Sequence, residues 1–123
     1  MTKTITQQAD LKKFCDGLQK ESFITVDTEF IRDSSYWSKL CLIQIAAGSD
    51  KKNYAAIDPL AGDINLAPFH ALLMNKKILK VMHGCRQDIE IFYHEFDKMP
   101  VSVFDTQIAG MVLGFGDQIG YEK

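Results

Sequence analysis

This sequence predicts an α/β domain built on a mixed sheet: a three-strand antiparallel meander, then parallel strands, with helices on the flanks. Three strand-like segments, 23–30, 40–47 and 54–57, follow one another through links too short to hold a crossover helix. From residue 67 onward helix and strand patterns alternate instead, which calls for right-handed crossovers and parallel pairing. A length of 123 residues with 46% hydrophobic and 24% charged side chains fits one domain with a core of useful size.

Residues 7–19 place Leu11, Phe14, Cys15 and Leu18 at helical spacing, a short amphipathic helix ahead of the first strand. Residues 23–30 alternate, with Ile24, Val26 and Phe30 on one side and Phe23, Thr25, Asp27 and Glu29 on the other, the pattern of a partly buried strand. The runs 40–47 (LCLIQIAA) and 54–57 are the second and third strands, and GSDKKN is the turn between them. A helix over 67–75, a strand over 78–82, a helix over 87–96, a strand over 101–104 and a helix from Thr106 complete the series. Pro59, Pro68 and Pro100 fall at loops or helix starts, and the ending GFGDQIGYEK reads as a loop and the start of another helix.

A net charge of -2 provides no global field to attract a polyanion, so such a substrate has to be held by local groups or bound cations. Cys15, Cys41 and Cys85 are odd in number and far apart, which argues against a disulfide framework and for a reducing compartment. His83-Gly84-Cys85 is the only close His/Cys pair, and no second pair completes a zinc site. The first residues lack the apolar core of a signal peptide and no apolar run is long enough to span a bilayer, so a cytoplasmic protein without membrane attachment is expected.

Asp27 and Glu29 lie two apart on a strand, so their carboxylates leave the same face while Thr28 points the other way. Crowding two acids raises one pKa, and a divalent cation between them offsets the repulsion. Oxygen-only ligation suits Mg²⁺ or Mn²⁺. The bland alternative is a solvated strand face. Against it, the pair follows the apolar run FITV at the carboxyl end of an expected central strand, where α/β sheets commonly place ligands. In HGCRQDIEIF, Gly84 permits a tight turn, Ile89, Phe92 and Phe96 mark a buried stripe, and Asp88 falls in the first helical turn. That position is equally that of a residue favoured by the helix dipole and of a metal ligand at a strand-to-helix junction.

VDTEF at 26–30, LCLIQIA at 40–46, IDPL at 57–60, HGCRQDIEIF at 83–92 and FDTQIAG at 104–110 stand in the order and approximate spacing of ribonuclease D, within the larger group of DEDD exonucleases. The chain resembles the N-terminal part of that domain over nearly its whole length. The resemblance implies a ribonuclease-H-like fold over residues 1–123 and a 3′-5′ exonuclease using two divalent cations, Mg²⁺ or Mn²⁺, to release 5′-mononucleotides from an RNA 3′ end, or from single-stranded DNA. It implies Asp27, Glu29 and Asp88 as catalytic metal ligands, with Asp27 shared by both cations. Thr28 and Phe30 resemble positions that hold the terminal nucleotide, though packing within the strand explains them as well. His83 could touch a phosphate or simply bond locally as it closes its strand.

The family's third motif, a tyrosine four residues before a fourth acid, has no counterpart. Asp117 and Tyr121 are in the wrong order, and Asp105 reads as a helix cap. The expectation is a truncated domain, weak or inactive as it stands, with one sheet face partly uncovered and prone to self-association. A DNA proofreading-type exonuclease and a catalytically silent nucleic-acid-binding module are the rival readings. His70 and His94 are assigned to structure, and Lys76, Lys77 and Lys80 to a solvated face. Tyr36 and Trp37 could stack on a base or anchor their loop.

Overall fold

The computed structural model describes residues 3–32, 38–48 and 53–114. Tyr36, Trp37, Asp117 and Tyr121 lie outside them. In chain order the elements are β1 (Lys3–Ile5), α1 (Gln8–Leu18), β2 (Phe23–Ile31), β3 (Lys39–Ala46), β4 (Tyr54–Ile57), α2 (Ala67–Leu73), β5 (Leu79–Met82), α3 (Arg86–Phe96), β6 (Val103–Asp105) and α4 (Thr106–Val112). They build a six-stranded mixed sheet in the order β1-β4-β3-β2-β5-β6.

The expected meander is present: β2 pairs antiparallel with β3, and β3 antiparallel with β4. The expected parallel half is present too, β5 beside β2 and β6 beside β5. One strand was not anticipated. β1 runs parallel to β4, pairing Ile5 with Ile57 across the chain, and its three residues carry too little periodicity to announce a strand. The helix limits shift slightly, with α2 ending at Leu73 and α3 beginning at Arg86.

β2 follows period-two burial along FITVDTEFI, and its β-branched Ile24, Val26 and Thr28 suit a pleated, half-buried surface. The pairing registers carry that phase across the sheet. Ile24, Val26 and Thr28 share a face with Ile43 and Ile45 of β3, Ala55 and Ile57 of β4, and Lys80 and Met82 of β5. This covered face joins Leu11, Cys15 and Leu18 of α1, Phe69, Leu72 and Leu73 of α2, and Ile91 and Phe92 of α3 in one core. Phe69 meets Phe92 edge-on, with ring centroids 5.5 Å apart, a geometry that adds aromatic attraction to the burial of both rings. Pro68 sits in the first turn of α2, where its missing N–H costs nothing. Gln8 and Asn65 exchange two hydrogen bonds, tying the start of α1 to the loop before α2.

Lys80 is a correction. The sequence reading placed it with Lys76 and Lys77 on a solvated face, but it is fully buried on the covered face, where its Nζ donates to the Asn75 carbonyl at 2.8 Å. Desolvation lowers its pKa to about 8.

The opposite face carries Phe23, Thr25, Asp27, Glu29 and Ile31 of β2 together with Gln44, Tyr54, Leu79 and Phe104. Phe23, Ile31, Tyr54, Leu79 and Phe104 are all exposed, as are Ile108, Met111, Val112 and Leu113 in and after α4. Among the described residues this face holds a broad cavity of about 620 Å³ lined by Thr25, Asp27, Gln44, Val81, Tyr54 and His83. Among the described residues no helix is long and apolar enough to cross a membrane.

Candidate metal centre

Asp27 and Glu29 stand on the open face of β2, a strand flanked on both sides by others, and both side chains are exposed. Their cross-strand partners are Gln44 and Leu42, neither of them charged. Directly after Glu29 the ladder shifts register. Glu29 pairs with Leu42 and Phe30 with Leu40, leaving Cys41 as the extra residue of a β-bulge. A bulge bends its strand and adds local twist, and here it follows the acidic pair immediately.

Thr28 leaves β2 on the covered face and is 7% exposed. Its hydroxyl donates to Oδ1 of Asp88, itself 7% exposed in the first turn of α3. The residues of α3 that are buried are Asp88, Ile91 and Phe92, so the carboxylate belongs to the inward stripe of its helix, with Ile89 and Phe96 only partly buried beside it. Burial pushes the Asp88 carboxyl up to about 6; the Thr28 hydrogen bond opposes the rise, while repulsion from Asp27, Asp105 and Glu29 adds to it. Asp88 thus feels the charges of both other expected ligands. The three side chains do not close on one another: among the described residues no three His, Cys, Asp or Glu groups gather into a ready cation site. The donor chemistry, carboxylate oxygens alone, fits a hard divalent cation.

Phe30 is half-buried and packs against the core from the far side of the bulge. With Gln87 and Ile91 of α3 it lines a small cavity of about 80 Å³. His83 closes β5, and its Nδ1 lies 2.8 Å from the Thr106 hydroxyl. His70 stacks on Phe96 at 4.5 Å, in keeping with a structural role.

Asp105 caps α4 as expected, accepting from the Gln107 N–H at 2.8 Å. It also does what the sequence reading missed. Its two oxygens take the backbone N–H groups of Gly84 and Cys85, each at 2.9 Å. Burial disfavours its charge, but the N–H groups of Cys85 and Gly84, the Cys85 thiol and the Gln107 N–H together hold it at about 2.

The chain belongs to the 3′-5′ exonuclease family, whose model matches residues 2–123. It is similar to ribonuclease D of Bartonella henselae, 49% identical over 123 residues that make up 100% of this chain and 30% of that protein. Ribonuclease D of Zymomonas mobilis is 53% identical over 97% of this chain and 30% of its own length. The crystal structure of Escherichia coli RNase D, described as an exoribonuclease involved in structured RNA processing, superposes with a TM-score of 0.90 at 32% identity, covering 98% of this chain and 31% of that one. The fold is accordingly the ribonuclease-H-like mixed sheet that the motifs implied. The chain spans about 30% of the length of these curated relatives.

Proposed function

We propose that this chain provides the Asp27, Glu29 and Asp88 ligands of a two-cation centre in a 3′-5′ exoribonuclease acting on RNA 3′ ends. One observation carries the reading: Asp88, buried and bonded to the Thr28 hydroxyl, is anchored to the residue between Asp27 and Glu29, and its carboxyl is pushed up to about 6 by burial, with repulsion from Asp27, Asp105 and Glu29 adding to the rise. A buried acid perturbed in this way beside other carboxylates is a functional-site candidate. A divalent cation held by these three carboxylates would offset the repulsion felt by Asp88 and polarise a phosphoryl oxygen.

The chain's own residues divide the remaining tasks. Asp27 and Glu29, side by side on a rigid strand, fix the spacing of the exposed ligands. The Thr28 hydroxyl is committed to Asp88, so it serves the site by holding that ligand in place. Phe30 offers the partly exposed edge of an apolar ring to the terminal sugar or base beside α3. His83, its ring held through Nδ1, stands where the strand ends and can present its imidazole to a phosphate. The solved exoribonuclease likeness favours RNA over DNA.

The test is Mn²⁺-dependent trimming of a 3′-labelled RNA, and of a DNA of the same sequence, by the protein that carries this chain, alongside Asp27→Ala. Trimming with release of 5′-mononucleotides, lost in the variant, is the expected result. Equal trimming by parent and variant removes the site assignment.

A further inference from the structure

We propose that Asp105, Thr106 and Gln107 form a clamp on residues 82–85 that positions Asp88 for metal binding, with Asp105 as the principal positioning residue. This rests on the metal-centre reading above.

α3 lacks a side-chain cap of its own: its N-cap residue is Cys85, which makes no capping hydrogen bond. The helix nevertheless has to start at a defined place, because Asp88 follows only three residues later and Gly84 just before it takes a positive φ of 58°. A left-handed glycine next to an uncapped helix start is a joint with little intrinsic stiffness. Residues 105–107 supply the stiffness from another element. Oδ1 of Asp105 takes the Gly84 N–H, Oδ2 the Cys85 N–H, and Oδ1 again the Gln107 N–H, so one carboxylate joins the starts of α3 and α4. Hydrogen bonds to an ionised acceptor are roughly twice as strong as neutral ones.

The neighbours reinforce it. The Thr106 hydroxyl donates to the Met82 carbonyl at 3.2 Å and meets His83 Nδ1 at 2.8 Å. The hydroxyl has a single proton, so with Met82 as its acceptor the ring nitrogen donates. The Gln107 side chain closes over Gly84, its Oε1 only 3.1 Å from where a Cβ would stand. Every residue from Met82 to Cys85 is therefore gripped by one of three consecutive residues. On its other side Asp88 is held through the Thr28 hydroxyl, so the clamp and Thr28 together fix the offset between α3 and β2. Residues that hold a metal ligand in position typically carry about 10–100-fold in metal affinity or rate.

The experiment compares the full-length parent with Asp105→Asn, Thr106→Val and Thr106→Ser. It measures kcat and KM for Mn²⁺-dependent trimming of a 3′-labelled RNA, the Mn²⁺ concentration at half-maximal rate, and amide exchange at residues 84–88. Asp105→Asn keeps one acceptor oxygen but turns an amide N–H₂ against a backbone N–H. The expected outcome is a kcat lower by about 10–100-fold, a raised Mn²⁺ requirement, a KM for RNA within about twofold, and faster exchange at 84–88 than in the parent. Thr106→Val should lose part of the rate and Thr106→Ser should restore it. A folded Asp105→Asn with parental kcat and Mn²⁺ requirement overturns the clamp while leaving the metal centre standing, and so does a loss confined to KM. If Asp105→Asn does not fold, the threonine pair decides, and equal rates for valine and serine overturn the proposal. A parent that shows no Mn²⁺-dependent trimming sinks the metal-centre reading and the clamp with it.

Discussion

The two faces of the sheet are made by the same strands and serve opposite purposes. On the covered face, alternate residues of β2 meet three helices and shut out water. On the open face the intervening residues put two acids and a scatter of apolar side chains in solvent. Identity along β2 therefore alternates between stability and chemistry residue by residue, and Thr28 links the two through its bond to Asp88. The candidate site is assembled across the sheet. Two of the proposed ligands lie on its open side, and the third sits on a helix anchored in the core.

Substitutions that respect only one face should separate the two. The largest effect belongs to Phe92→Ala on the covered face, which removes a fully buried ring in contact with Phe69 and should cost about 3–5 kcal/mol in urea unfolding. Asp27→Ala on the open face should reverse the profile, with trimming lowered at least ~100-fold while unfolding shifts by no more than about 0.5 kcal/mol. A stability loss like that of Phe92→Ala would erase the distinction.

Asp88 lies on the covered side yet is a proposed ligand, and it shows the conflict between stability and chemistry. Its folded carboxyl lies at about 6, above the ordinary 3.8, so the native state holds the proton more tightly than the unfolded chain. Its contribution to stability is then fully present below about pH 4 and is lost as pH rises through 6. Asp88→Asn, which keeps an acceptor for Thr28, should raise metal-free stability at pH 7.5 by on the order of 2 kcal/mol while abolishing trimming. Thermal unfolding at pH 3.5 and 7.5 checks this, since the gain should shrink as pH falls and be lost only below about pH 4. Asp105 has the opposite sign. Held at about 2, it supports folding above the ordinary carboxylate range and withdraws that support only as pH falls toward 2.

The smallest effect is the sharpest test of which face is which. Leu79 and Lys80 are neighbours in β5, the first 38% exposed and the second 0%. Leu79→Lys should change stability by no more than about 0.5 kcal/mol. A loss several times larger would mean that the open face is covered in solution.

Much of this was legible because it is periodic. The alternation of β2, the short links of the meander and the position of Asp88 in the first turn of α3 are all local patterns. What escaped notice was non-local. β1 gains its identity only by pairing with residues some fifty positions away, and the Thr28–Asp88 bond spans a separation of 60. Asp105 looked like a cap for the helix it begins, and nothing in FDTQ announces that the same carboxylate reaches back 21 residues to Gly84. Lys80 was misplaced because charge was weighed above phase: Ile78, Lys80 and Met82 share one side of the strand pattern, and the fold followed the pattern.

The extra residue at Cys41 has a consequence for how this sheet tolerates insertion and deletion. Leu40 and Leu42 already face the partners they would have in a regular ladder, so excising Cys41 would leave every inward and outward assignment intact. The lost feature would be curvature alone, the local coiling that turns the strand ends away just past Glu29. A one-residue deletion that elsewhere in a strand would turn the core inside out would here leave a properly sorted but flatter sheet, separating the bend from the pattern of sides on which the fold depends.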